Sequence, residues 1–119
     1  MKSFQKIAAQ GELTIRRIPS IPIGVTCSAM KTEAGKFIVG HSETGHHHVI
    51  DAIGADVMVL DRPPEGMKVL YAILENPTSL DHLREHDTHE SIMLEPGTYE
   101  IRIAREFDHY AELARQSQD

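Results

Sequence analysis

The sequence predicts a mainly β protein, a small single-domain antiparallel β-barrel with one or two short helices. Three observations favour this class. Short runs of strand-forming residues recur along the chain, Gly, Pro and polar residues separate them, and helix-like periodicity is confined to two short segments. A chain of 119 residues is long enough for one hydrophobic core and too short for two. We therefore expect residues 1–119 to form one domain.

The strand-like runs are separated by turn-forming residues. They cover residues 12–18, 25–30, 36–41, 46–51, 56–60, 68–74, 91–94 and 99–105. Pro19 and Pro22 follow the first run and interrupt a regular ladder, so residues 12–18 are predicted to form an edge strand. An open edge can pair with a second copy of the chain, which leaves a homo-oligomer open.

Two turns are predicted to close β-hairpins between the runs that flank them. The loop 31–36 contains Gly35, which accepts a positive φ. In the segment 95–98, Pro96 and Gly97 occupy the central positions of a type II turn, because proline fixes the first φ and glycine accepts the positive second one. The second turn is the stronger hairpin signal of the two.

Two short helices are predicted beside the strands. Thr78 and Ser79 offer capping side chains for a helix over residues 80–86. Asp108 offers one for a helix over residues 109–116.

The composition limits the classes of function. A formal net charge of −6, with three Tyr, three Phe and no Trp, argues against a nucleic-acid partner. No segment approaches the ~20 apolar residues of a membrane span, so we expect no membrane partner. The N-terminus lacks the apolar core of a signal peptide, so we expect a cytoplasmic location. The single Cys27 excludes an intramolecular disulfide and a Cys-rich zinc site.

Four of the eight histidines lie in the segment GHSETGHHHVI, residues 40–50. If the runs on either side of residues 42–45 pair as a hairpin, His41 lies opposite His46, and His48 shares their face of the sheet. That face also carries Phe37, Val39 and Ile50, whereas the other carries Ile38, Gly40, His47, Val49 and Asp51. Three converging imidazoles among apolar residues predict a metal site.

A second histidine group, His82, His86 and His89, precedes the strand at 91–94. His86 and His89 are predicted to join the site because they lie closer to that strand, and the role of His82 stays open. Histidine nitrogen binds divalent transition metals, here Zn, Fe, Mn or Ni. His47 and His109 are assigned to the surface or to hydrogen-bonded positions.

The spacing Gly40-x5-His46-x-His48 resembles the first half of the cupin signature. The resemblance implies a double-stranded β-helix barrel in which these histidines ligate a metal. The usual acidic residue is represented by Asp51, which lies nearer to the histidines than the usual Glu. The second cupin motif lacks its histidine after Pro96-Gly97, so His86 or His89 would replace that ligand.

Over most of its length the chain also resembles small proteins encoded in bacteriophage and prophage regions. The shared features are Gly45-His46-His47-His48, His86-Asp87-Thr88-His89, Pro96-Gly97 and Arg105-Glu106-Phe107-Asp108. This resemblance implies a mobile-element context and no particular substrate.

Three functions stay open at the level of sequence. The first is a metal-dependent enzyme whose ion keeps an open coordination position, and the second is a non-enzymatic accessory module with a closed, structural metal site. The third is a barrel that binds a small-molecule ligand without metal. Neither a GxSxG turn nor a glycine-rich phosphate loop occurs, so the predicted function depends on the histidines.

Overall fold

The computed structural model describes residues 2–3, 7–10, 13–40, 47–83 and 89–104, which form β-strands and their connections. The strands are β1 (Lys2–Ser3), β2 (Ile7–Gln10), β3 (Leu13–Ile18), β4 (Cys27–Ala29), β5 (Lys36–Gly40), β6 (His48–Asp51), β7 (Ala55–Leu60), β8 (Met67–Leu74), β9 (Thr78–Leu83), β10 (His89–Leu94) and β11 (Gly97–Ala104). Each predicted strand-like run coincides with one of these strands, so the prediction of a mainly β protein is confirmed.

The strands form two sheets rather than the predicted barrel. The first has five strands in the order β1-β10-β9-β6-β5, and the second has six in the order β2-β3-β11-β8-β7-β4. Neighbours pair antiparallel, except for the parallel pair of β1 and β10. Within the described ranges no ladder joins one sheet to the other, so the sheets are not closed into a barrel.

A single apolar core lies between the two sheets. The five-stranded sheet contributes Phe37, Val39, Ile50, Leu80, Ile92 and Leu94, and the six-stranded sheet contributes Leu13, Ile15, Val57, Leu70, Ala72, Leu74, Tyr99 and Ile101. These residues recur at every second position along their strands, because successive strand side chains point to opposite faces of a sheet. The alternation in the sequence therefore sets which face of each sheet is buried.

The predicted hairpin at Pro96-Gly97 is wrong, since β10 pairs with β9 whereas β11 pairs with β3 and β8. The turn instead carries the chain from one sheet to the other, and Gly97 has a φ of 153° rather than the roughly +80° of a type II turn. Side chains of the six-stranded sheet hold this corner. Arg17 Nη2 donates to the Pro96 carbonyl at 2.7 Å, and the Tyr99 hydroxyl donates to the Glu95 carbonyl at 2.6 Å.

The other predicted hairpin is wrong for a similar reason. β4 pairs with β7 and β5 pairs with β6, so the strands flanking 31–36 lie in different sheets. The loop nevertheless contains a tight turn: Glu33 and Lys36 exchange backbone hydrogen bonds of 2.8 and 3.0 Å. Ala34 and Gly35 between them both have positive φ, as a type I′ turn requires.

Two further predictions need correction. Residues 12–18 are not an edge, because β3 lies between β2 and β11, and this removes the argument for a homo-oligomer formed through that strand. Residues 80–83 belong to strand β9 rather than a helix, because β6 and β10 supply hydrogen-bonding neighbours on both sides. The predicted helix at 109–116 lies outside the described residues. Among the described residues, no helix is long and apolar enough to cross a membrane.

Two tyrosines of the six-stranded sheet have raised pKa values. Burial is the main cause of the raised pKa of Tyr71, and the Glu100 carboxylate adds to it. Burial likewise raises the pKa of Tyr99. Both side chains are almost fully buried, so the fold favours their neutral, protonated form.

Replacing Leu70 by alanine tests the packing of the core. Leu70 is fully buried, so Leu70→Ala should lower the free energy of unfolding by about 2–5 kcal/mol. The matched control is Ile23→Ala, because Ile23 is fully exposed and its truncation should have little effect. Chemical denaturation measures both, and similar losses in the two variants would contradict the placement of the core.

Alkaline pH should destabilise the fold through Tyr71. The folded-state pKa is raised above the ordinary value of about 10, so the stabilisation is complete below pH ~10 and is lost as the pH rises through the folded pKa. Tyr71→Phe should show a shallower decline of unfolding free energy than the wild type between about pH 9 and 11. Denaturant titrations across this range test it, and identical slopes would argue against the assigned burial.

Candidate metal site

Strands β5 and β6, which flank the first histidine group, pair as the sequence predicts over their first part. Lys36 lies opposite Asp51, Phe37 opposite Ile50 and Ile38 opposite Val49. His48 is 4% exposed, and it precedes the buried Ile50 by two residues. The prediction that His48 shares the core face with Ile50 is therefore confirmed, whereas Asp51 is exposed at a position of the other face.

A β-bulge between Ile38 and Gly40 changes the register at the histidine end of the hairpin and places Gly40 opposite His48. The imidazole of His48 lies against the glycine. A Cβ built at position 40 would come within 2.7 Å of His48 Cδ2 and 3.1 Å of Cγ. The glycine is required because a side chain at position 40 would displace the ring.

The pairing of β6, β9 and β10 places three polar residues in one row across the five-stranded sheet. His48 is the direct partner of His82, and His82 is the direct partner of Glu90. Directly opposed residues on antiparallel strands share a face of the sheet. We call His48, His82 and Glu90 the histidine row.

The histidine row borders the core. The next row on the same face consists of Ile50, Leu80 and Ile92, which are directly paired and almost fully buried. Residues two apart along a strand share a face, so the histidine row continues the core face of the sheet. The polar row therefore lies at the edge of the apolar core.

The composition of the row suits a metal ion. Adjacent strands lie about 4.8 Å apart, so the register places three residues of metal-binding types at directly opposed positions on neighbouring strands. Two imidazoles and one carboxylate form a donor set used for Fe and Zn. The described side chains by themselves contain no group of three or more His, Cys, Asp or Glu that could hold a metal ion.

The other predicted ligands have different positions. Three of them lie outside the described residues: His41, His46 and His86. His89 pairs with Leu83 and precedes Glu90 along β10, so its register position belongs to the opposite face of the sheet from the histidine row. Whether His41, His46, His86 and His89 bind a metal stays a prediction.

Two of the row's residues, His82 and Glu90, are not among the ligands predicted from the sequence, which leaves the role of His82 open and makes Glu90 a candidate general base or a partner that orients an imidazole. Their signal is the alternation Thr78, Leu80, His82 and the alternation Glu90, Ile92, Leu94. The alternation Thr78, Leu80, His82 is not recognised when residues 80–86 are interpreted as a helix. A helix places His82 beside His86 instead.

The outer face of the same sheet carries a different polar group. Asp81 Oδ1 accepts hydrogen bonds from the hydroxyls of Ser79 and Ser91, each at 2.6 Å. Asp81 is opposite Val49 and Ser91, one position along from the histidine row, and therefore on the other face. It is not a further ligand for an ion held by the row.

Cys27 is half-buried, and the described residues around it disfavour its thiolate form. Burial is the main cause of its raised pKa, and the nearby Asp61 carboxylate raises it further. A raised pKa keeps the thiol protonated and unreactive at neutral pH. Such a cysteine behaves as a small packing residue.

Replacing Gly40 by alanine tests the contact with His48. Gly40→Ala should destabilise the fold by about 1–3 kcal/mol, because the added Cβ overlaps the imidazole. In a His48→Ala background the ring atoms are absent, so the same substitution should cost much less. A double-mutant cycle from denaturation curves measures this coupling, and equal costs in both backgrounds would show that the ring does not lie there.

Comparison with known proteins assigns no activity. The sequence matches the domain of unknown function DUF8820 over residues 9–104. No curated protein and no solved structure gives a significant match. The match carries neither a cupin nor a phage assignment. The all-β description of the domain comes from its two sheets.

Proposed function

The chain belongs to the DUF8820 family, and we propose that this domain binds one divalent transition-metal ion through His48, His82 and Glu90. One observation carries the proposal, the direct pairing of these three residues across β6, β9 and β10. No other row of the described part of the five-stranded sheet combines two histidines with a carboxylate.

The burial of His48 and the residue types of the row support an ion. His48 is buried beside the apolar core, and a divalent cation takes neutral imidazole nitrogen and carboxylate oxygen as ligands. Gly40 supports the arrangement because its lack of a side chain leaves room for the His48 ring.

Donors that come from one face of one sheet occupy one side of an ion. The remaining coordination positions are then left for water, a small-molecule ligand or further protein donors. Residues 41–47 connect Gly40 to β6 in the chain and include His41 and His46, two of the ligands predicted from the sequence. An open position would allow Lewis-acid chemistry, whereas a site closed by these histidines would be structural.

Metal stoichiometry tests the proposal, with untagged protein purified without added metal or chelator and measured by elemental analysis. The wild type should contain or take up about one equivalent of Fe, Mn, Ni or Zn, and the ion should raise its melting temperature. His82→Gln should abolish this binding. The matched control is His89→Gln, because His89 belongs to the other face of the sheet.

The outcomes separate the candidate ligand sets. Metal loss in His89→Gln with retention in His82→Gln would overturn the histidine row and favour His86 and His89. Loss in both His46→Ala and His48→Ala, with retention in His47→Ala, would add His46 to the ligands. A wild type that neither binds metal nor gains thermal stability on its addition would refute metal binding altogether.

A further inference from the structure

The outer face of the six-stranded sheet has a shallow groove of about 220 Å³. Its lining residues are Thr14, Arg16, Glu100 and Arg102, and we call it the arginine groove. We propose that the arginine groove binds a small oxyanion, a phosphate or carboxylate group of a soluble metabolite. This proposal is independent of the histidine row, which belongs to the other sheet.

The register explains why these four residues meet. Arg16 is opposite Glu100 and Thr14 is opposite Arg102 on the paired strands β3 and β11. Each pair along a strand is two residues apart, so all four share one face. Ile101, between the two lining residues of β11, is fully buried in the core, so the four lie on the outer face.

Glu100 organises the two arginines. Its side chain is only 7% exposed, and Oε1 accepts from Arg102 Nε at 2.7 Å and from Arg16 Nη2 at 3.3 Å. Charge-assisted bonds of this kind fix the guanidinium groups side by side. The carboxylate thus holds two like charges close together before any ligand arrives.

Most of the hydrogen-bonding capacity of the two arginines remains available to a ligand. A guanidinium has five N–H donors, and each arginine uses one of them on Glu100 among the described side chains. Both side chains are about half exposed, at 52% for Arg16 and 48% for Arg102. The hydroxyl of Thr14 adds a further donor at the same groove.

The charge balance favours an anion. Two guanidinium groups and one carboxylate leave one positive charge at the groove, although the whole chain has a net charge of −6. On β8, Tyr71 lies opposite Glu100 and Val69 opposite Arg102, and both are buried, so the groove has an apolar flank.

The size of the groove limits the ligand. A volume of about 220 Å³ is several times the roughly 30 Å³ that a water molecule occupies in the liquid. It therefore admits a phosphate or carboxylate group with a small substituent.

The test titrates inorganic phosphate and, separately, citrate into the full chain at low ionic strength. Calorimetry and amide NMR shifts on β3 and β11 measure binding. Both Arg16→Gln and Arg102→Gln should weaken binding by about tenfold or more, since each removes a bidentate donor. The matched control is Arg62→Gln, which makes the same charge change at an exposed arginine outside the groove and should leave affinity unchanged.

Glu100→Gln distinguishes an anion site from a structural ion-pair network. The substitution keeps the size of the side chain and its Oε1 acceptor, which can still hold both guanidinium groups, and it removes the negative charge, so affinity for the anion should rise. Binding of phosphate alone or of citrate alone would support the proposal and identify the source of the oxyanion. Failure of both anions to bind, equal weakening in Arg62→Gln, or lost binding in a folded Glu100→Gln variant would overturn it.

Discussion

The five-stranded sheet depends on one constraint, the register in which β6, β9 and β10 pair. Ile50, Leu80 and Ile92 meet directly in this register and are buried. A slip of one residue would move all of them to the outer face. Each buried side chain of this size contributes ~1.5–3 kcal/mol, so exposing three of them would cost a large part of the stability of a small domain. The apolar row thereby determines which polar residues meet in the row beside it.

In the six-stranded sheet, too, buried apolar residues fix the register, and the register brings polar residues together on the outer face. Burial of Ile15 and Ile101 fixes how β3 and β11 pair, and this pairing brings Arg16, Glu100 and Arg102 together outside. Neither polar group determines the fold. Both are positioned by apolar residues one or two places away, which allows the polar residues to change without loss of the sheet.

Local features were predictable from the sequence, and pairings between distant strands were not. The β5–β6 pairing and the inward face of His48 follow from a short connection and a period of two. Leu80 and Leu83 are three apart, a spacing that fits a helix as well, and only the strands on either side make this segment β9. The corner at Pro96 has the chemistry of a turn, yet its contact with Arg17, 79 residues away, lies beyond any local pattern. The pairing of His82 with His48 and Glu90 could not be predicted for the same reason.

The chain alternates between the sheets in pairs of strands: β5 and β6 lie in one, β7 and β8 in the other, and β9 and β10 in the first again. The histidine row therefore spans a junction between two hairpins made from separate parts of the chain. Bringing residues 48 and 90 together closes a long loop, which has an entropic cost that a turn between adjacent strands does not have. If the proposed ion binds across the row, it would stabilise the contact between the two hairpins. The order in which the sheet assembles would then depend on the supply of metal in the cell.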